Sequence, residues 1–238
     1  YASSEELLQA TEISFDATPG AVRIRASKPS RLRGNSGVRL VVRMPRNARV
    51  EHIQTSNGRI RVEDLGAGAE IRTTNGSIDI RQIAGPLRAR TSNGRITVSG
   101  VSGPSTLETT NGSIRADEMQ GAIEAHTSNG SIEITLRDPD PGAPVKLSTT
   151  NARVDLRMET VHENDVTIKT SNGRVNVRIP DSARFNVNAR TSSGSISTDL
   201  PIAVTETSRN RLSGSLNGGG SRLEIQTSNG SVKIEKIL

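Results

Sequence analysis

Thr91-Ser92-Asn93-Gly94-Arg95-Ile96 is one of nine near-copies of a six-residue phrase. The others begin at Thr55, Thr73, Thr109, Thr127, Thr149, Thr170, Thr191 and Thr227, and each ends on Ile or Val. Five starts, from Thr55 to Thr127, are separated by 18 residues each time; the later steps are 22, 21, 21 and 36. A fixed period this short decides the architecture before any motif search, because each unit must bury its apolar face against the next.

The apolar residues agree on their phase. Counting each unit from its Thr, the sixth position is Ile60, Ile78, Ile96, Ile114, Ile132, Val154, Val175, Ile196 and Val232. Most eighth positions are aliphatic too, as at Val62, Ile80, Val98 and Ile134. Two residues before the Thr stand Ile53, Ile71, Ala89, Leu107 and their equivalents. Each unit therefore predicts two short strands with inward residues at period two, joined by an Asn-Gly turn and a Gly/Pro-rich one such as Gly85-Pro86. Asn-Gly is also a hairpin signal, and 36 residues approach a propeller blade. Strands of a hairpin or blade sit in different environments, whereas here every unit repeats one inward pattern. The expected fold is all-β, a β-solenoid resembling a parallel β-helix. Its nine phrases, the 36-residue gap read as two coils and the flanking strands suggest about eleven coils stacked roughly 4.8 Å apart.

Inside such a stack the alternation turns Thr and Asn toward their own copies in adjacent coils. The expected structural ladder is Thr55, Asn57, Thr73, Asn75, Thr91, Asn93, Thr109, Asn111, Thr127, Asn129, Asn151, Asn172 and Asn229, with hydroxyls and amides satisfying one another along the corner. Ser193 is the one break in the Asn column. After the Gly, Arg59, Ser77, Arg95 and Ser113 alternate, which keeps like charges two coils apart. Arg61 beside Asp79 and Glu63 beside Arg81 are complementary neighbours.

Composition bounds the function. Of 238 residues only 32% are apolar and 1% aromatic, so no aromatic binding platform exists. No cysteine is present, which excludes disulfides, thiolate metal sites and cysteine nucleophiles. Thirty-one basic against 25 acidic residues give a net charge of +6 on a mixed surface rather than a basic stripe, so nucleic acid is not the expected partner. There is no run of about 18 apolar residues to span a membrane. Residues 1–12 read as a tail, 13–52 as N-terminal capping strands including Val38, Leu40 and Val42, and 53–238 as the repeat solenoid.

These units, of form T-x-N-G-x-[IV]-x-[VI], resemble a bacterial β-strand-repeat family of unknown function that carries an adhesin label. Leu212-Ser213-Gly214-Ser215-Leu216-Asn217-Gly218-Gly219-Gly220 followed by Leu223 to Gly230 is similar to that family's C-terminal signature, and Arg39 to Pro45 to its strand-then-proline entry. The likeness spans residues 38–238. It implies an exported or membrane-attached module without assigned catalysis. A first residue that is Tyr rather than Met agrees with the expected extracytoplasmic place, whether secreted, surface-bound or periplasmic.

Chemistry is sparse. His52, His126 and His162 are the only histidines and read as surface residues. Asp138-Pro139-Asp140-Pro141-Gly142 reads as a rigid turn, with too few ligands for a tight Ca²⁺ site. A polysaccharide-acting β-helix enzyme needs long loops and clustered acids, whereas these insertions add only three or four residues. Ice binding needs an outward Thr array, but this column points inward. The expectation is thus a non-enzymatic surface module without cofactor or metal, meeting a surface polysaccharide or protein. Polyanion or nucleic-acid binding through Arg-rich faces is the alternative. The final strand, with Ile234, Ile237 and Leu238, reads as an open edge for head-to-tail self-assembly.

Overall fold

The computed structural model describes residues 5, 9–18, 21–27 and 37–237. The described chain is all-β with almost no helix, and divides between Met44 and Pro45 into two units. The tail expected over residues 1–12 lies mostly outside the described residues.

In the first unit Glu12–Thr18 and Ala21–Ser27 form an antiparallel pair, with Phe15 opposite Ile24. The pair covers little: Phe15, Ile13 and Val22 are all exposed. Residues 37–44 are not a strand, and Val38, Leu40, Val41, Val42 and Met44 are exposed. The half-buried strand expected there is absent because its alternating side chains have no sheet to pair with among the described residues. Residues 45–52 go with the second unit, where the Arg46 carbonyl accepts the Gly66 N–H at 2.8 Å.

The second unit is a β-solenoid. Each coil supplies one strand to a nine-stranded sheet and one to the facing parallel part of an eleven-stranded sheet. The first coil is Val50–Asn57 with Ile60–Leu65, the second Ala69–Asn75 with Ile78–Ile83. Pairing is parallel, with Ile60 on Ile78 on Ile96 and Thr55 on Thr73, so repeat residues stack on their counterparts, apart from a register shift between Val50 and Ile53 in the first coil. Inward rows of Ile, Val and Leu fill the space between the sheets, and Ile78, Ile96, Ile114 and Ile132 are fully buried. Small β-branched residues suffice because the two sheets are close.

Seven coils follow chain order, ending with Val166–Lys169 and Val175–Ile179. The order then changes. The next strands along the chain, Phe185–Thr191 and Ile196–Thr198, lie two places on. The last, Ser221–Thr227 and Val232–Lys236, fill the place between, with Leu223 opposite both Val166 and Val187, and Ile234 opposite both Val177 and Thr198. The intervening Ile202–Ser208 and Arg211–Leu216 form an antiparallel hairpin whose second strand pairs with Phe185–Thr191 and closes the eleven-stranded sheet. The 36-residue gap is therefore one coil's remainder plus a hairpin, not two coils, and the stack has nine coils rather than eleven.

Candidate functional site

The corner at the Asn-Gly turn is built from three linked columns. Each Asn amide donates to the amide oxygen of the coil before it: Asn75 to Asn57, Asn93 to Asn75, Asn111 to Asn93, Asn129 to Asn111, Asn151 to Asn129, Asn172 to Asn151 and Asn229 to Asn172, all at 2.8 Å. The chain of amides is exposed and runs in one direction, ending where Ser193 replaces Asn. None of these Asn has a positive φ, so the column is not there to form a left-handed turn.

The threonines do not bond to one another. Thr91 donates to the Gly76 carbonyl at 3.0 Å, Thr109 to Gly94 at 3.1 Å and Thr127 to Gly112 at 3.0 Å; Thr149, Thr170, Thr227 and Thr191 repeat the bond farther along. The pattern differs from the expected hydroxyl ladder because the corner carbonyl, which sheet pairing leaves free, is the nearer acceptor. It also explains the glycine. A Cβ at Gly94 would overlap the Gly76 carbonyl, so the coils approach too closely there for any side chain. Thr73 alone has a buried hydroxyl without a partner, and Thr55, in the first coil, is only half-buried.

Another column escaped the sequence reading. Asp64, Gln82, Gly100 and Glu118, 18 residues apart, all take left-handed backbone, with φ of 58, 55, 69 and 57°. Each resets the alternation so that Leu65, Ile83, Val101 and Met119 turn inward beyond it. Only Gly100 advertises this in its residue type.

The outer faces are charged and largely paired. Arg90 meets Glu108 at 2.8 Å and Arg115 meets Glu133 at 2.6 Å. These hydrogen bonds, then the opposite charges, raise both arginine pKa values further, so both stay cationic. Arg59 and Arg95 reach the hydroxyls of Ser77 and Ser113 at 3.0 and 3.1 Å, filling the gaps left by alternation. That alternation fails at Arg153 and Arg174, which are neighbours across strands, as are Arg157 and Arg178.

The remaining candidates are placed as follows. His52 bonds Gln54 and His126 bonds Ser148. His162 Nε2 lies 2.9 Å from Asp138 Oδ1, which also accepts from Thr160 at 3.3 Å. Buried Asn164 fastens this loop by donating to the carbonyls of Asp140 and Ala143, a role no local signal in the sequence marks. No group of three or more potential metal ligands occurs among the described residues. The expected assembly edge is corrected: Ile234 is fully buried with a strand on each side, and the Ile237 N–H donates to the Ile179 carbonyl at 3.0 Å. Leu238 lies outside the described residues. Repetition misled the reading here, because a T-x-N-G coil fits any slot in the stack equally well.

The profile of the Toastrack DUF4097 family matches residues 5–160 and again residues 105–235. No curated protein and no solved structure matches the chain. The chain belongs to the Toastrack DUF4097 family, a β-solenoid family of unknown function.

Proposed function

We propose that this Toastrack chain is a non-catalytic, extracytoplasmic structural module of adhesin-like character, a stiff β-solenoid that presents its charged outer faces to a surface polysaccharide or protein. The observation that carries the reading is the use of the polar repeat residues. Thr and Asn serve the corner of the stack, the interior is apolar apart from the corner threonines, Ser105 and Asn164, and the outward rows hold the remaining chemistry. End-to-end pairing through the strand of Ile234 has no free edge to use, and in this reading the partner is met on a sheet face.

The test has two parts. Protease added to producing cells, either intact or with the outer layers opened, should degrade the chain if it lies outside the cytoplasmic membrane. The purified chain should bind saturably to intact envelopes of the same cells and be competed off by their polysaccharide or surface-protein fraction. A chain that is protected from protease after the outer layers are opened, or that shows no saturable binding, would end this reading.

A further inference from the structure

We infer that the outer face of the nine-stranded sheet carries a binding site for an acidic polysaccharide, centred on Arg153, Arg157, Arg174 and Arg178. The inference rests on the adhesin-like reading and names the surface it would use.

The starting point is a broken local rule. In the column after the Gly, arginines elsewhere are separated by serine: Arg59, Ser77, Arg95, Ser113, Ser131. Arg153 and Arg174 then immediately precede the paired strands Val154–Met158 and Val175–Ile179, and four residues farther along Arg157 lies directly opposite Arg178. Neighbouring strands are about 4.8 Å apart, and like charges directly opposite one another destabilise a sheet. Arginines also face each other on the eleven-stranded sheet, Arg72 with Arg90 and Arg190 with Arg211, but among the described residues only here do two doublets lie along one pair of strands, and local rules broken without a structural gain tend to mark function.

The surrounding carboxylates only partly offset the charge. Arg153 pairs with Asp155 at 3.0 Å, Arg157 with Glu159 at 3.4 Å and Arg178 with Glu235 at 3.7 Å. Glu235 also pairs with Lys233. Arg174 is exposed and has no ion pair among the described residues. The four arginines line a shallow trough of about 600 Å³ together with Asp155, Asn176 and Glu133, whose carboxylate is paired with Arg115.

The geometry selects the ligand. Each arginine doublet presents guanidinium donors suited to a carboxylate or sulfate. Along a strand, four residues place the two doublets about 13 Å apart. Between them the Asn176 amide donates to Asp155 at 2.7 Å, leaving carboxylate and amide oxygens as acceptors for hydroxyl groups. A polymer whose anions are separated by a neutral, hydroxyl-bearing sugar fits two cationic doublets with hydrogen-bond acceptors between them. A nucleic acid, with a phosphate on every nucleotide, would bring one against Asp155. It would also find no ring to stack on, since Phe185, the aromatic of this unit, is fully buried.

The experiment measures binding of the full chain to hyaluronan, whose carboxylates lie on every second sugar, to single-stranded DNA and to neutral dextran at several salt concentrations. It compares Arg174→Gln/Arg178→Gln with Arg59→Gln/Arg95→Gln, which removes the same charge from the same face where arginines are spaced. All four positions are exposed, and circular dichroism establishes that both variants fold. The expected result is salt-sensitive binding to hyaluronan alone. The first variant should weaken it about tenfold or more and the second less than about twofold. Equal losses in the two variants, DNA held as tightly as hyaluronan, or no binding by the unaltered chain would each overturn the site. Envelope binding that survives Arg174→Gln/Arg178→Gln would overturn this site while leaving the adhesin-like role standing. Absent envelope binding by the unaltered chain would remove both.

Discussion

A single asparagine in mid-stack answers to two neighbours. Asn93 donates to Asn75 and accepts from Asn111, whereas Asn229 donates to Asn172 and then meets Ser193. Asn93→Ala should therefore cost roughly 1–3 kcal/mol and Asn229→Ala about half as much, at a net 0.5–1.5 kcal/mol per bond. Denaturant melts of the two variants measure the difference, and equal losses would reduce the column to independent residues. The threonines provide a sharper contrast. Thr109→Val strands the Gly94 carbonyl and should cost about 1–3 kcal/mol, while Thr73→Val removes a hydroxyl that has no partner and should be neutral or stabilising. At this scale the sequence was readily legible, because repetition placed Thr, Asn and Gly in columns. What it could not display was the acceptor of the threonine bond, a backbone carbonyl brought near only by stacking.

The second strand of a coil shows where legibility ended. In the first four coils a left-handed residue interrupts it, and the types found there are Asp64, Gln82, Gly100 and Glu118. Left-handed backbone disfavours any residue with a Cβ by roughly 1 kcal/mol or more, so Gln82→Gly and Glu118→Gly should each stabilise by up to about that amount. Gly100→Ala should destabilise to a similar degree, since a Cβ there would make only ordinary contacts, 3.6 Å from Gln82. Thermal melts decide it; a loss of stability in Gln82→Gly would mean that the side chain contributes more than its backbone strain. The column was hidden because polar residues are equally natural on an exposed strand, and alternation alone cannot register a step that reverses it. From Ile132 onward the strands run without the interruption: Ile132, Ile134 and Leu136 alternate inward directly. The longer coils reach their far corner through the loops that Asn164 fastens.

For the stack as a whole, the segment 217–238 behaves as an interior part. It contributes Leu223, Ile225, Val232 and Ile234, each buried between neighbours on both sides. At about 1.5–3 kcal/mol per side chain, its removal forfeits roughly 6–12 kcal/mol, comparable to the whole stability of a typical domain. Truncation after Leu216 should lower the melting temperature by more than about 10 °C or abolish a cooperative melt; a shift of a few degrees would show that the coil of Thr191 can close directly on that of Thr170. The all-β stack was evident from period and phase, but the order of its coils was not, because identical corners make every slot chemically equivalent. That equivalence has a consequence in time. Asn229 joins Asn172 across 57 residues of chain, and a contact so distant in sequence forms slowly. Synthesis delivers the coil of Thr191 before the coil that must separate it from Thr170. The earlier arrival either waits a strand's width away or docks and is later displaced. In that order of synthesis the final coil enters between two others rather than adding to an end, and wherever the coil of Thr191 has already docked, its entry waits for that contact to reopen.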